Sequence, residues 1–127
     1  MRGYQKRLGD FGEAAAAEYL LRQGYQIVEQ NYRCAAGEVD IIAKNDTCLL
    51  FVEVKTRTSD RYGTPAEAVT PLKQKRMAQT AMQYLSESPV TAAVRFDVIE
   101  IYAALEHGVF ILQNLNHIEN AIPEVEI

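Results

Sequence analysis

Residues 48–54 read Cys-Leu-Leu-Phe-Val-Glu-Val, apolar at odd and even positions alike until Glu53. Successive side chains of a strand point to opposite faces. Such a run is satisfied only where both faces are covered. It predicts a central strand in a sheet with helices on its two sides. Three charges break this pattern: Asp40, Glu53 and Lys55 fall within the two most apolar strand-like stretches, Glu38-Val-Asp-Ile-Ile-Ala43 and Cys48–Lys55. A buried carboxylate or ammonium is costly unless it is paired with another charge or with a metal.

The other elements follow from periodicity. Leu8, Ala15, Ala16, Tyr19 and Leu20 repeat at helical spacing, predicting a helix from Tyr4 to Gln23 that stops at Gly24. Gly9 and Gly12 each cost such a helix roughly 1 kcal/mol, which predicts that another backbone comes close. Strands are expected at 25–32, 38–44 and 48–56, then a polar loop at 57–64 containing Gly63. Pro65 or Pro71 opens a second helix running to about Leu85, with Pro71 suited to a first turn. Strands at 92–102 and 109–115 complete the set, and no strong pattern follows His117. The order α-β-β-β-α-β-β predicts an α/β fold, a mixed sheet flanked by helices, in one domain of 127 residues with a short C-terminal tail.

Glu53 and Lys55 share one face of their strand with Leu49 and Phe51. A two-residue loop at Asn45-Asp46 would pair Ile42 with Leu49, Asp40 with Phe51 and Glu38 with Glu53. Asp40 then lies diagonal to Glu53 on the same face, roughly 7–8 Å away between backbones. A one-residue change in the loop would turn it to the other face. Glu13 lies beside the apolar arc of the first helix and is expected to point toward the sheet. Two carboxylates, an amine and a helical carboxylate suit a hard divalent cation and water activation. Asp40 and Glu53 are the candidate metal ligands, and Lys55 would orient water or stabilise developing negative charge. Ordinary alternatives stand beside each: a strand-end ion pair between Glu53 and Lys55, a loop-capping Asp40, a solvated Glu13. Glu38 is a rival for the place of Asp40.

The cysteines, Cys34 and Cys48, lie outside any C-x-x-C spacing, and His107 and His117 are distant from them. No zinc site is expected, and two free thiols suit a reducing cytoplasm. The opening Met1-Arg-Gly-Tyr-Gln-Lys-Arg7 has no apolar stretch after its charges, so neither a signal peptide nor a membrane span is expected. There is no phosphate-binding G-x-x-x-x-G-K loop and no Ser-His-Asp arrangement. Net charge is −4, yet residues 1–95 hold all 13 Lys and Arg against 11 acids, and residues 96–127 hold six acids and no base. A local basic face is therefore compatible with phosphate. In the second helix Gln74, Met77, Ala78, Ala81 and Leu85 share an inner face. Lys73 and Arg76 lie three apart on its flank, spaced for phosphate contact. Asp97, alternating with Arg95 and Ile99, reads as structural.

Gly12-Glu13, Asn31-Tyr-Arg33, Gly37-Glu-Val-Asp-Ile-Ile-Ala43, Phe51-Val-Glu-Val-Lys55 with Arg57, and Arg95-Phe-Asp-Val98 together resemble the YraN-like family of small bacterial proteins. That family is similar to the PD-(D/E)xK nuclease superfamily, which includes restriction endonucleases and archaeal Holliday junction resolvases. The resemblance covers about residues 3–115. It implies a restriction-endonuclease-like αβββαβ core with Asp40, Glu53 and Lys55 in the metal and catalytic positions and Glu13 as the helix carboxylate of resolvase-like members. It implies a nuclease that cleaves phosphodiesters with Mg²⁺ or Mn²⁺, acting on DNA of structured or branched form. Arg33, Arg57, Lys73 and Arg76 are the expected nucleic-acid contacts. The chain lacks the Pro of the superfamily motif, reading Glu38-Val39-Asp40, and Cys34-Ala-Ala-Gly37 is poor in basic residues. A non-catalytic module that keeps the fold and binds nucleic acid or protein is the alternative. A cytoplasmic location is expected and a homodimer is left open.

Overall fold

The computed structural model describes residues 2–58 and 70–122. The polar loop around Arg61 and Gly63 and a helix opening at Pro65 fall outside the described residues. Among the described residues seven elements run α1 (Arg2–Arg22), β1 (Gln26–Cys34), β2 (Gly37–Lys44), β3 (Cys48–Arg57), α2 (Pro71–Glu87), β4 (Ala93–Glu106) and β5 (Val109–Ile118). They form one five-stranded sheet in sequence order, with β3 at its centre. In this sheet β3 and β4 are parallel, joined by the crossover through α2; the other described neighbours are antiparallel. The fold is the mixed α/β arrangement that the pattern implied, with an αβββαβ-type core.

The double-sided strand has two cores because each face finds its own helix. On one side Leu50, Val52, Ile99 and Ile101 pack with Ala16, Ala17 and Leu20 of α1. On the other Leu49, Phe51, Phe96 and Val98 pack with Met77, Ala81 and Tyr84 of α2. Phe51 stacks on Phe96 at 5.5 Å between centroids and meets Tyr84 edge-on at 5.8 Å. The buried face of α2 also includes Thr80 and Tyr84, which spacing alone did not single out. The second helix does open at Pro71, capped by Thr70, whose hydroxyl accepts from the Lys73 N–H. His107 and Gly108 turn β4 into β5, both at positive φ (52° and 80°), as a two-residue hairpin requires. The ordered core continues past residue 115: β5 reaches Ile118, and Ile122 is buried against the α2-side cluster. Both cysteines are free. Among the described residues, no helix is long and apolar enough to cross a membrane.

Gly12 marks where α1 touches the sheet. A Cβ built there would lie 1.7 Å from Thr56 Oγ1 and 2.7 Å from Thr56 Cβ, so the helix can approach β3 only without one. Gly9 meets nothing within 4 Å, and the expected close approach does not occur there. Gly12→Ala is predicted to destabilise by about 1–3 kcal/mol through overpacking, outweighing a gain of about 1 kcal/mol in helix propensity. Gly9→Ala collects only that gain. Urea midpoints of the two variants, moving in opposite directions, check the assignment.

Candidate active site

The β2–β3 hairpin decides where the charges meet. Asn45 turns its own side chain onto the loop: Oδ1 accepts from Thr47 N–H and Cys48 N–H, each at 2.9 Å. Asn45 N–H in turn donates to the Cys48 carbonyl at 3.1 Å. The two turning residues are therefore Asp46 and Thr47 rather than Asn45 and Asp46. The register moves by two, to Ile42 opposite Phe51 and Lys44 opposite Leu49, instead of Ile42 opposite Leu49. A shift of two preserves the faces, unlike a shift of one.

The last ladder pair of these strands is Ile41 with Val52. Beyond it the Asp40 carboxylate replaces the ladder, accepting the Val54 N–H on Oδ2 at 2.8 Å. Asp40 and Glu53, expected on a diagonal, are close enough to share a hydrogen bond. Burial, then the neighbouring Glu53 charge, push the Asp40 carboxyl up to about 7. Two carboxylates sharing a hydrogen bond in a half-buried place must hold a proton or a cation between them. That is the condition under which a divalent ion is accepted.

Glu53 is ringed by positive charge. Lys55 Nζ stands 3.3 Å from its Oε2, and Lys73 from the first turn of α2 is ion-paired with the same oxygen. Burial, with Lys73 beside it, pushes the Lys55 ammonium below the ordinary lysine value. For Lys73 burial works against the charge, but the bond to Glu53 prevails and holds it above that value. Lys73, expected to contact phosphate from an open flank, is thus drawn into the charge cluster. Helical spacing alone could not reveal this, because it depends on where α2 lands over the end of β3.

Glu13 reaches the rim of the cluster from α1. Burial lifts its carboxyl above the usual carboxylate range, against a hydrogen bond from Asn31, and the charges of Asp10, Glu38 and Glu53 add to the lift. Asn31 holds this position at φ 54°, a conformation asparagine tolerates. Glu38, the rival of Asp40, is exposed and ion-paired with Arg33 at 3.0 Å. Arg57 turns from solvent toward the buried Glu100, its Nε 3.8 Å from that carboxylate. Glu100 also accepts from the Tyr102 hydroxyl. Arg76 remains exposed, lining a cleft of about 510 Å³ with Gly37, Glu38, Thr70, Lys73 and Met77.

Among the described residues, no three Asp, Glu, His or Cys side chains gather into a metal cage. Asp40 and Glu53 fit a hard cation of the Mg²⁺ kind, which takes one or two carboxylates and completes its shell with water and substrate oxygens. The crowded carboxylate pair is the feature of this site that such an ion would relieve.

The model of the uncharacterised protein family UPF0102 matches residues 12–101 of the chain. A UPF0102 protein of Clostridium acetobutylicum is 46% identical over 122 residues, covering 95% of this chain and 98% of its own. One from Symbiobacterium thermophilum is 51% identical over 100 residues, covering 76% of this chain and 82% of its own. One from Geobacter metallireducens is 42% identical over 119 residues, covering 93% of each.

Proposed function

We propose, on the footing that the chain belongs to the uncharacterised protein family UPF0102, that it is a divalent-metal-dependent endonuclease hydrolysing phosphodiester bonds in structured or branched DNA. The observation that carries this reading is the convergence of Asp40 and Glu53, each feeling the other's charge, with Lys55 Nζ 3.3 Å from Glu53 Oε2. Asp40 and Glu53 would hold the cation, Mg²⁺ or Mn²⁺. The ion supplies charge neutralisation at the phosphoryl group and a more acidic bound water. Lys55 hydrogen-bonds the attacking water or the developing phosphorane oxygens, and its depressed ammonium can give up a proton more readily than a free lysine. Glu13, its carboxyl raised chiefly by burial, stands at the rim of the site. The cleft lined by Lys73 and Arg76 offers positive charge to a phosphate backbone beside the cluster.

The reading is tested by incubating the protein with branched and single-stranded DNA in Mg²⁺ or Mn²⁺, beside Asp40→Ala and Lys55→Ala. Metal-dependent cutting by the native protein, lost in both variants, is the expected result. Binding without cutting, untouched by either substitution, would overturn it in favour of a non-catalytic binding module. A steep fall of DNA affinity with salt is expected in either case.

A further inference from the structure

Lys73 is one ammonium more than Glu53 needs. The carboxylate already has Lys55, its neighbour on β3, at 3.3 Å from Oε2. A second ammonium from another element is ion-paired with that same oxygen. Together the two lysines match in charge the two carboxylates, Glu53 and Asp40, once both are ionised. The metal-free cluster is therefore neutralised by two single charges where one double charge would serve. The two lysines differ in freedom. Lys55 sits within the β3–β4 ladder opposite Glu100. Lys73 springs from the first turn of α2, where the Thr70 hydroxyl fixes its N–H at 3.2 Å. Its side chain, one-third exposed, borders the open cleft with Arg76, so it has somewhere to go.

We propose that Lys73 is a displaceable counter-ion of the cation site: its ammonium occupies Glu53 in the metal-free protein, yields that oxygen when a divalent ion binds, and so sets the affinity for the metal. The proposal rests on the reading of Asp40 and Glu53 as cation ligands. A dication on Glu53 and an ammonium on the same oxygen repel one another, so each weakens the hold of the other. Once released, Lys73 lies beside Arg76 as a second positive group for a substrate phosphate. Lys73 is on this account a positioning residue, acting through Glu53.

The test is calorimetric titration of the full chain with Mn²⁺, without DNA and at one fixed pH. Lys73→Met and Lys73→Gln are both used, so that a folding defect in one does not remove the measurement. Each is expected to bind Mn²⁺ on the order of tenfold more tightly than the native protein, the scale of one partly shielded charge pair. Lys73→Arg, which keeps the competitor, and Lys75→Met, two positions along the helix, should stay within about twofold of native. Native binding with unchanged or weaker affinity in both neutral Lys73 variants would overturn the proposal and leave the cation site standing. No Mn²⁺ binding by any of the proteins would overturn the cation site and the proposal together.

Discussion

Asp40→Asn is expected to make the metal-free protein more stable at pH 8 while reducing DNA cleavage by at least about 10³-fold. The two effects share one cause. Asp40 ionises at about 7 in the fold and at 3.8 as an ordinary aspartate. Its raised value means that the fold favours the protonated form. That favourable contribution is complete below the unfolded value and is lost as pH rises through the folded one. Above about pH 7 the native protein holds two ionised carboxylates against each other. The rise from 3.8 to about 7 bounds the loss at about 4 kcal/mol, and relaxation of a half-buried pair reduces it to about 1–3 kcal/mol. Asparagine imitates the protonated acid: its oxygen still accepts the Val54 N–H, and its amide can donate to Glu53. Thermal melts should therefore give the variant a higher Tm at pH 8, by about 3–6 °C per kcal/mol. The advantage should vanish near pH 4. Added Mg²⁺ should raise the Tm of the native protein alone and narrow the gap at pH 8. An Asp40→Asn protein that melts lower than native at pH 8 would show that the carboxylate pair is not under strain.

The same residue illustrates what a sequence can and cannot give. Asp40 and Glu53 stand out because charge interrupts strands that are otherwise apolar, and the double-sided run 48–52 identifies β3 as central. Every element was legible because each has its own periodicity. What lay beyond reach was decided by single atoms or by distant partners. The choice between two adjacent turns depended on Asn45 Oδ1 taking both Thr47 and Cys48 N–H groups. For the paired residues Ile41 to Lys44 the faces came out the same only because the resulting shift was even. Lys73 is twenty residues from Glu53, and no spacing rule connects the end of a strand to the first turn of the helix that crosses it. Arg57 shows the converse. Its charge suggested a phosphate, but a buried Glu100 on the neighbouring strand takes it inward. Glu100 carried the same signal as Asp40, a carboxylate inside an apolar strand, and could have been singled out on that ground.

Asp97 carried that signal too, and substituting it is expected to produce the largest loss of stability in the molecule. Its carboxylate is fully buried. Arg95 grips it through two nitrogens at 2.9 Å, His117 Nε2 stands at 2.7 Å, and the Asn120 N–H donates at 2.9 Å. The partners reach further: Arg95 donates to the Tyr25 hydroxyl at 3.1 Å, and His117 Nδ1 lies 2.9 Å from that of Tyr19. One carboxylate thus ties β4 to β5, to the chain beyond β5, and to the end of α1. Burial opposes its charge, but His117 and Arg95 prevail and hold it below the ordinary aspartate range. The sign is opposite to that of Asp40: this contribution is present above the unfolded value and is lost as pH falls through the folded one. Asp97→Ala leaves a guanidinium and an imidazole facing an empty place. The cost of breaking such a pair is about 3–5 kcal/mol, enough to lower Tm by roughly 10 °C or more. An Asp–His pair also resembles a catalytic dyad, so the measurement must separate the two roles. For a structural clamp, cleavage per folded molecule at low temperature should stay near native in Asp97→Asn while Tm falls. A variant that melts like the native protein but has lost cleavage would place Asp97 among the groups that act on the substrate, and the division between site and scaffold would have to be redrawn.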